Sequence, residues 1–242
     1  MQETKKKKVA IVGFAPTKDA APYNDSECEI WSVNNLYKFI PRTDRIFQMH
    51  HPRHLTGEHH GVKGTEHIEF LQNTTTPVYM QEKYPDIPAS VQYPIEQMTL
   101  EFGIPRPDGS GLVDGYWTNS ISMMIALAIY EGFEEIWVFG VDMAVASEYV
   151  EQRPSCEYYL GIAKGRGIKV VLPVESDLLK TRFVYGYEED RKHAWEMKLE
   201  KTIKDMEARK KQADVLIRDQ QSVSDKYEGA ITALLEMHRT WQ

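Results

Sequence analysis

The chain has 242 residues, 42% of them hydrophobic, and a net charge of -7. That hydrophobic fraction supports a sizeable core and excludes global disorder. The acidic balance argues against broad nucleic-acid binding, which needs a basic surface to neutralise phosphates. Cys28 and Cys156 are too few for a disulfide framework, so a cytoplasmic compartment is expected. Residues 1–8 lack the apolar stretch of a signal peptide, and the longest apolar run, Ile121 to Tyr130, is too short to span a membrane.

In chain order, short runs of β-formers predict strands at Val9–Phe14, Glu29–Val33, Arg45–Met49, Val78–Met80, Ile136–Gly140 and Lys169–Leu172. Helical periodicity falls at about Glu66–Gln72, Ile95–Phe102, Thr118–Glu131, Ser155–Gly165 and Ser176–Lys180. Alternation of this kind argues for an α/β, Rossmann-like fold: a mostly parallel sheet with helices on both faces. The proline- and aromatic-rich stretch from Pro77 to Pro107 reads as an irregular excursion over the sheet, a lid or wall of a site.

Near Tyr187 the composition changes. All twelve prolines precede it, and Gly229 is the only glycine after it. Two domains are expected, 1–183 as the α/β unit and 184–242 as a helical tail. In the tail, Leu199, Ile203, Met206, Ala213, Ile217, Tyr227, Ile231, Leu234 and Trp241 follow steps of three and four, or sums of them. Lys210, Gln220, Ser224 and His238 fill the remaining places of that frame. A sustained heptad predicts a coiled coil, and a homo-oligomer through residues 188–242. The polar centre, Asp219 to Asp225, carries a helix-start pattern at Ser222, so the tail is expected as either one long helix or a helical hairpin interrupted there.

Candidate site residues cluster at strand ends, where open α/β sheets bind ligands. Gly13-Phe-Ala-Pro-Thr17 closes the first strand. It lacks the spacing of a dinucleotide fingerprint or a P-loop. Its backbone N–H groups at a helix start could face an anion, which makes Gly13, Ala15, Pro16 and Thr17 candidates. Asn34 and Asn35 close the second strand with amides able to read a hydroxyl or a base edge. A turn or capping role explains them equally well. Six of the eight histidines lie between His50 and His67. No standard zinc spacing appears and no cysteine is near, so no metal site is assigned. His50, nearest its strand end, is the candidate acid or base. Asn119 and Ser120 open an apolar helix as caps or phosphate contacts. Asp142 ends the strand that follows, placed to hold a ribose, a metal or a loop. Arg153 is a candidate phosphate partner at a helix start, and Cys156 is read as structural.

Taken together, Gly13-x-x-Pro16-Thr17, Asn34 or Asn35, Ser120, and Gly132-Phe-Glu-Glu-Ile-Trp-Val-Phe-Gly-Val-Asp142 resemble a known superfamily. It contains the bacterial sialyltransferases of glycosyltransferase family 42, motility-associated glycosyltransferase-like proteins and archaeal 6-hydroxymethylpterin diphosphokinase-like proteins. Glu29-Ile-Trp31 and Asp44-Arg-Ile-Phe-Gln-Met-His50 also resemble segments of a group of phage proteins, which would place the chain in a host cytoplasm. The resemblance covers roughly residues 8–180. It implies a Rossmann-like fold and a nucleotide or nucleotide-sugar ligand, with magnesium as an optional companion. The sialyltransferases carry a catalytic histidine before the last helix of the site, and the stretch Glu148–Pro154 has none. Tyr149, or His50 from another strand, would take that role. The expected function is a glycosyltransferase-like transfer to a saccharide or a modified base. The alternatives are a nucleotide-sequestering protein and a coiled-coil scaffold with a vestigial α/β unit.

Overall fold

The computed structural model describes residues 7–55, 57–143, 148–181 and 183–241, without the side chains of Glu148 and Tyr149. The chain forms two compact units, Met1–Lys180 and Thr181–Gln242.

The first unit runs β1 (Lys8–Val12), β2 (Cys28–Val33), β3 (Arg45–Phe47), β4 (Glu58–His59), β5 (Val62–Lys63), α1 (Gly64–Asn73), β6 (Val78–Met80), β7 (Ser90–Gln92), α2 (Ile95–Phe102), β8 (Ile104–Pro105), β9 (Val113–Asp114), α3 (Ser120–Tyr130), β10 (Glu135–Phe139), α4 (Arg153–Gly165) and β11 (Lys169–Val171). Seven strands form one sheet in the order β11-β10-β1-β2-β3-β6-β7. Every pairing within it is parallel. This is the α/β architecture expected from the alternating elements. Strands β4–β5 and β8–β9 form two small antiparallel hairpins outside it.

The central strands are continuous apolar runs because both faces of the sheet are covered. Val9, Ala10, Ile11 and Val12 of β1 have no solvent exposure, and Ile30, Trp31, Ile136 and Val138 are equally enclosed. Helix α3 packs on β1 and β2 and against α2 and α4. It is buried on nearly every side from Ile121 to Ile129, which explains why its sequence is apolar all round rather than striped. A smaller cluster joins Leu71 of α1 to Ile46, Val78, Met80 and Ile87.

Two sequence expectations are corrected. The stretch from Pro77 to Pro107 is no irregular excursion: it supplies β6, the sheet-edge strand β7, helix α2 and β8. Pro77 and Pro94 flank these elements, and the fold loses no ladder bond to them. Residues Ser176–Lys180 form turns, not a helix. There the Ser176 hydroxyl donates to Val141 O and accepts from the Leu178 amide, so a side chain replaces the first turn of helix hydrogen bonds.

The second unit takes one of the two forms the sequence leaves open, the long helix. Its helix α5 (Glu189–Thr240) is continuous over 52 residues, with no break at 219–225. At about 1.5 Å per residue it is roughly 78 Å long. Residues 219–225 contain neither glycine nor proline. Gln221 Nε2 donates to Asp225 Oδ1 at 2.8 Å, one helical turn on. Serine and aspartate cost only about half a kcal/mol each inside a helix, too little to end one without a breaker. Among the described residues no helix is long and apolar enough to cross a membrane.

Candidate functional site

Strands β1, β2, β3, β6 and β7 step away from the centre in one direction, and β10 and β11 in the other. The order therefore reverses between β1 and β10, and a crevice opens outside their carboxyl ends, as parallel sheets require. A cleft of about 420 Å³ lies there. Its walls include Gly13, Phe14, Ala15, Asn34, His50, His60, Thr118, Asn119, Ser120, Gly140, Asp142 and Gln152.

The floor is built from two glycines in backbone contact. Gly13 N–H donates to Phe139 O at 2.9 Å, and Ala15 N–H donates to Gly140 O at 3.0 Å. A Cβ on Gly13 would lie 2.3 Å from Gly140 O, and one on Gly140 would lie 2.2 Å from Gly13 O. Gly140 also has φ +62°, which side chains rarely adopt. Thr17 locks this junction. Its hydroxyl accepts the Gly140 N–H at 2.7 Å and donates to Asp142 Oδ1 at 3.1 Å. The amides of Gly13 and Ala15 are thus engaged in holding the two strand ends, not pointed at a ligand. Pro16 opens the 3-10 turn Pro16–Ala20 and Thr17 lies behind Asp142; neither belongs to the wall.

The opposite wall is the start of α3. Asn119 is its N-cap: Oδ1 accepts the Ser122 N–H at 2.9 Å, while Nδ2 donates to Gln152 O and to Ser155 Oγ. The capping role fixes Asn119. A helix's first four N–H groups have no partner within the helix. With Ser122 capped, the amides of Ser120 and Ile121 are the donors of that turn at the cleft. Among the described residues, none of those lining the cleft is Lys or Arg. Negative charge on a ligand would be met by this helix terminus and by the histidines.

Asn34 stands between this cleft and a second cavity of about 220 Å³. It adopts φ +49°, a left-handed conformation that asparagine tolerates better than most residues. Its Oδ1 is buried and meets no hydrogen-bond donor among the described residues. An orphaned buried acceptor costs about 1–3 kcal/mol, so it marks a place where a donor is missing. Asn35 has a different job. It is buried, and its Nδ2 donates to His59 O at 2.7 Å, which ties down the β4–β5 hairpin.

The second cavity is lined by His50, His54, His59, His60 and His67, with Gln48, Leu55 and Val62. His67 and Gln48 form its buried framework. Gln48 Nε2 donates to His50 O at 3.1 Å, so Gln48 Oε1 accepts from His67 Nε2 at 2.9 Å. His67 Nδ1 must then accept from the Tyr37 hydroxyl at 3.2 Å. Burial, aided by Lys38, pushes His67 down to about 4, so it stays neutral. The relay fixes the backbone of His50, whose exposed ring borders both cavities. His60 stacks on Phe14 with ring centroids 3.9 Å apart and closes the boundary between them. Among the described residues, no group of three His, Cys, Asp or Glu side chains is placed to hold a metal ion.

The fold thus brings Gly13, Ala15, Asn34, Asn119, Ser120, Asp142 and His50 to one cleft. Arg153 does not join them. It pairs with Glu157 at 2.8 Å and donates to Lys180 O at 3.0 Å. Tyr149 has its side chain outside the described residues. Cys156 is buried and its thiol is pushed up to about 12 by burial, which makes it inert. Sequence reasoning missed His60, Gln152 and the Gln48–His67 relay. The histidine cluster was visible, but which ring faces the cleft depends on a hairpin no short motif encodes.

No family model and no curated protein matches the chain. Among solved structures, it is similar to the sialyltransferase CstII from Campylobacter jejuni in complex with the substrate analogue cytidine-5'-monophosphate. The identity is 15% over 69% of this chain and 79% of that one, with a TM-score of 0.42. A complex of CstII with CMP-3FNeuAc matches at 14% identity over 68% and 79%, with a TM-score of 0.40.

Proposed function

We propose that the α/β unit is a nucleotide-dependent transferase of the glycosyltransferase kind. The donor, a nucleotide-sugar, occupies the 420 Å³ cleft; the acceptor, a saccharide or a modified base, enters the 220 Å³ cavity beside it. The observation that carries this reading is the pair of adjoining cavities bordered in common by Asn34, His50 and His60. A sequestering protein needs one enclosed pocket, and a vestigial domain needs none.

In this arrangement the Ser120 end of α3 meets the phosphates, and Asp142 accepts from sugar hydroxyls. Asn34 Oδ1 accepts the donor hydrogen it lacks in the protein. His50 takes the proton of the acceptor hydroxyl as that oxygen bonds to the anomeric carbon. The bond from that carbon to the phosphate oxygen breaks, and the nucleotide leaves with its electron pair. His50, not Tyr149, is assigned as the base because its ring borders both cavities. Any magnesium would accompany the phosphates, with Asp142 the one carboxylate among the described lining residues.

Mass spectrometry of ligand carried through native purification, followed by incubation with candidate acceptors, tests the reading. A bound nucleotide-sugar that is consumed in wild-type protein, and consumed at least about 100-fold more slowly in His50→Ala, supports it. A nucleotide held but never turned over assigns the sequestering role instead. No nucleotide binding at all would sink both.

A further inference from the structure

Helix α5 leaves an apolar seam uncovered along most of its length. Ile203, Ile217, Ile231 and Leu234 are 55–66% exposed, and no residue of the helix is buried. From Leu199 to Trp241 the seam positions follow unbroken alternating steps of four and three. In that frame all three isoleucines of the helix, at 203, 217 and 231, fall at position a, while Leu199 and Leu234 fall at d. β-branched residues at a with leucine at d favour two parallel strands. Lys210, also at a, agrees: in a two-stranded coil its ammonium reaches water past the seam, whereas a wider bundle would enclose it.

The flanking charges decide the direction. The e column holds Glu200, Glu207, Asp214, Gln221, Glu228 and Leu235; the g column opposite it holds Thr202, Arg209, Leu216, Val223, Ala230 and Met237. An antiparallel pair sets e against e, and at full overlap Glu207 of each chain then faces Glu228 of the other. A parallel pair sets each g against the e five residues on. Arg209 then meets Asp214, Val223 meets Glu228, and no like charges face one another across the e and g columns, while the two Lys210 ammonium groups at a diverge into water. Charges at e and g set the orientation of the partner helix, so the like-charged contact of Glu207 with Glu228 disfavours the antiparallel pair. Polar Gln220 and Ser224 in the seam fix the register, since each meets its own copy only when the chains are aligned.

We infer that α5 is the docking surface for a second copy of this chain, forming a parallel, in-register two-stranded coiled coil over residues 199–241. The inference is independent of the transferase reading. Sedimentation equilibrium of the full chain should give about twice its 28.0 kDa mass. Ile217→Asp should weaken association by at least about 100-fold, because it sets two carboxylates inside the seam. Ile217 is exposed in the single helix, so that variant keeps its circular dichroism in the near ultraviolet. Ala213→Cys and Ser224→Cys, made separately, should each form a self-disulfide under mild oxidation. Only a parallel aligned pair lets both positions meet their own copies, and the native Cys28 and Cys156 are buried and silent. A monomer, a species larger than two chains, or cross-linking at only one of the two positions overturns the inference.

Discussion

The two ends of the parallel sheet are built on opposite rules. Near the amino ends, charge is matched. Arg45 reaches Glu131 at 2.7 Å, Glu29 at 2.9 Å and the Tyr79 hydroxyl at 3.0 Å, with its guanidinium 4.7 Å over the Trp31 ring. At the carboxyl ends the chain places glycines in backbone contact, a left-handed asparagine with a buried orphan oxygen, and five histidines around a cavity. Charge at one end is satisfied within the chain; at the other, a buried acceptor has no donor among the described residues. If the proposed ligand binds at that second end, substitutions at the two ends should read out differently.

The largest effect belongs to the floor of the cleft. Gly140→Ala sets a Cβ 2.2 Å from Gly13 O at a positive φ, and the obstacle is backbone, which no rotamer change relieves. Strain and overpacking together should cost about 4 kcal/mol. For a unit of this size that lowers the thermal midpoint by about 10 °C. A midpoint within a degree or two of wild type would show that β1 and β10 can part freely, and that the floor is not rigid.

His67 comes next. Its folded value of about 4 lies below the ordinary 6.5, so between these the unfolded chain binds more protons than the folded one. Stability from this group is full above about 6.5 and is lost as pH falls toward 4. The loss is about 3 kcal/mol at 1.4 kcal/mol per unit. Chemical denaturation of wild type and His67→Gln across that window should give curves that converge as the pH falls. Parallel curves would mean that the imidazole is hydrated, and the Tyr37–His67–Gln48 relay would lose its basis.

At the satisfied end, Arg45→Ala leaves Glu29 and Glu131 without their cation. These carboxylates are only partly buried, so the cost is discounted to about 2 kcal/mol. Ligand binding should not change, since Arg45 lines neither cavity. A variant that bound nucleotide more than a few-fold more weakly would break the separation between the two ends.

The same contrast explains what could be read without coordinates. Six of the seven strands were legible, the central ones because burial on both faces demands unbroken apolar runs such as Val9 to Val12. The seventh, Ser90–Gln92, was not: an edge strand three residues long, flanked by Pro88 and Pro94, carries no period. Asn34, Ser120 and Asp142 were legible as strand-end and helix-start residues. Their roles were not, because Asn119 and Thr17 look equally polar in sequence and are already consumed by a cap and a buttress. Arg153 misled for the same reason, its partner Glu157 being one helical turn away. The heptad of α5 was plain, but the continuity of the helix was not. A polar centre in a helix resembles a turn until one sees that nothing in it breaks the backbone.

The smallest effect on stability carries the sharpest test. Asn34→Gly keeps the left-handed backbone, which glycine adopts without a Cβ penalty, and deletes the buried oxygen that finds no donor. Removing an unsatisfied acceptor offsets glycine's greater unfolded-state entropy, so the net change should lie within about 1 kcal/mol. Were Asn34 an ordinary turn residue, nothing else would follow. If its oxygen accepts a hydrogen bond from a ligand, affinity should fall about 10-fold, the equivalent of one lost bond of about 1.4 kcal/mol. Calorimetric titration of whichever nucleotide the wild-type protein retains, set beside the thermal midpoints, distinguishes the two. Reduced affinity with unchanged stability keeps Asn34 as a ligand contact at the incomplete end of the sheet. Unchanged affinity would leave its orphan oxygen as strain without a function.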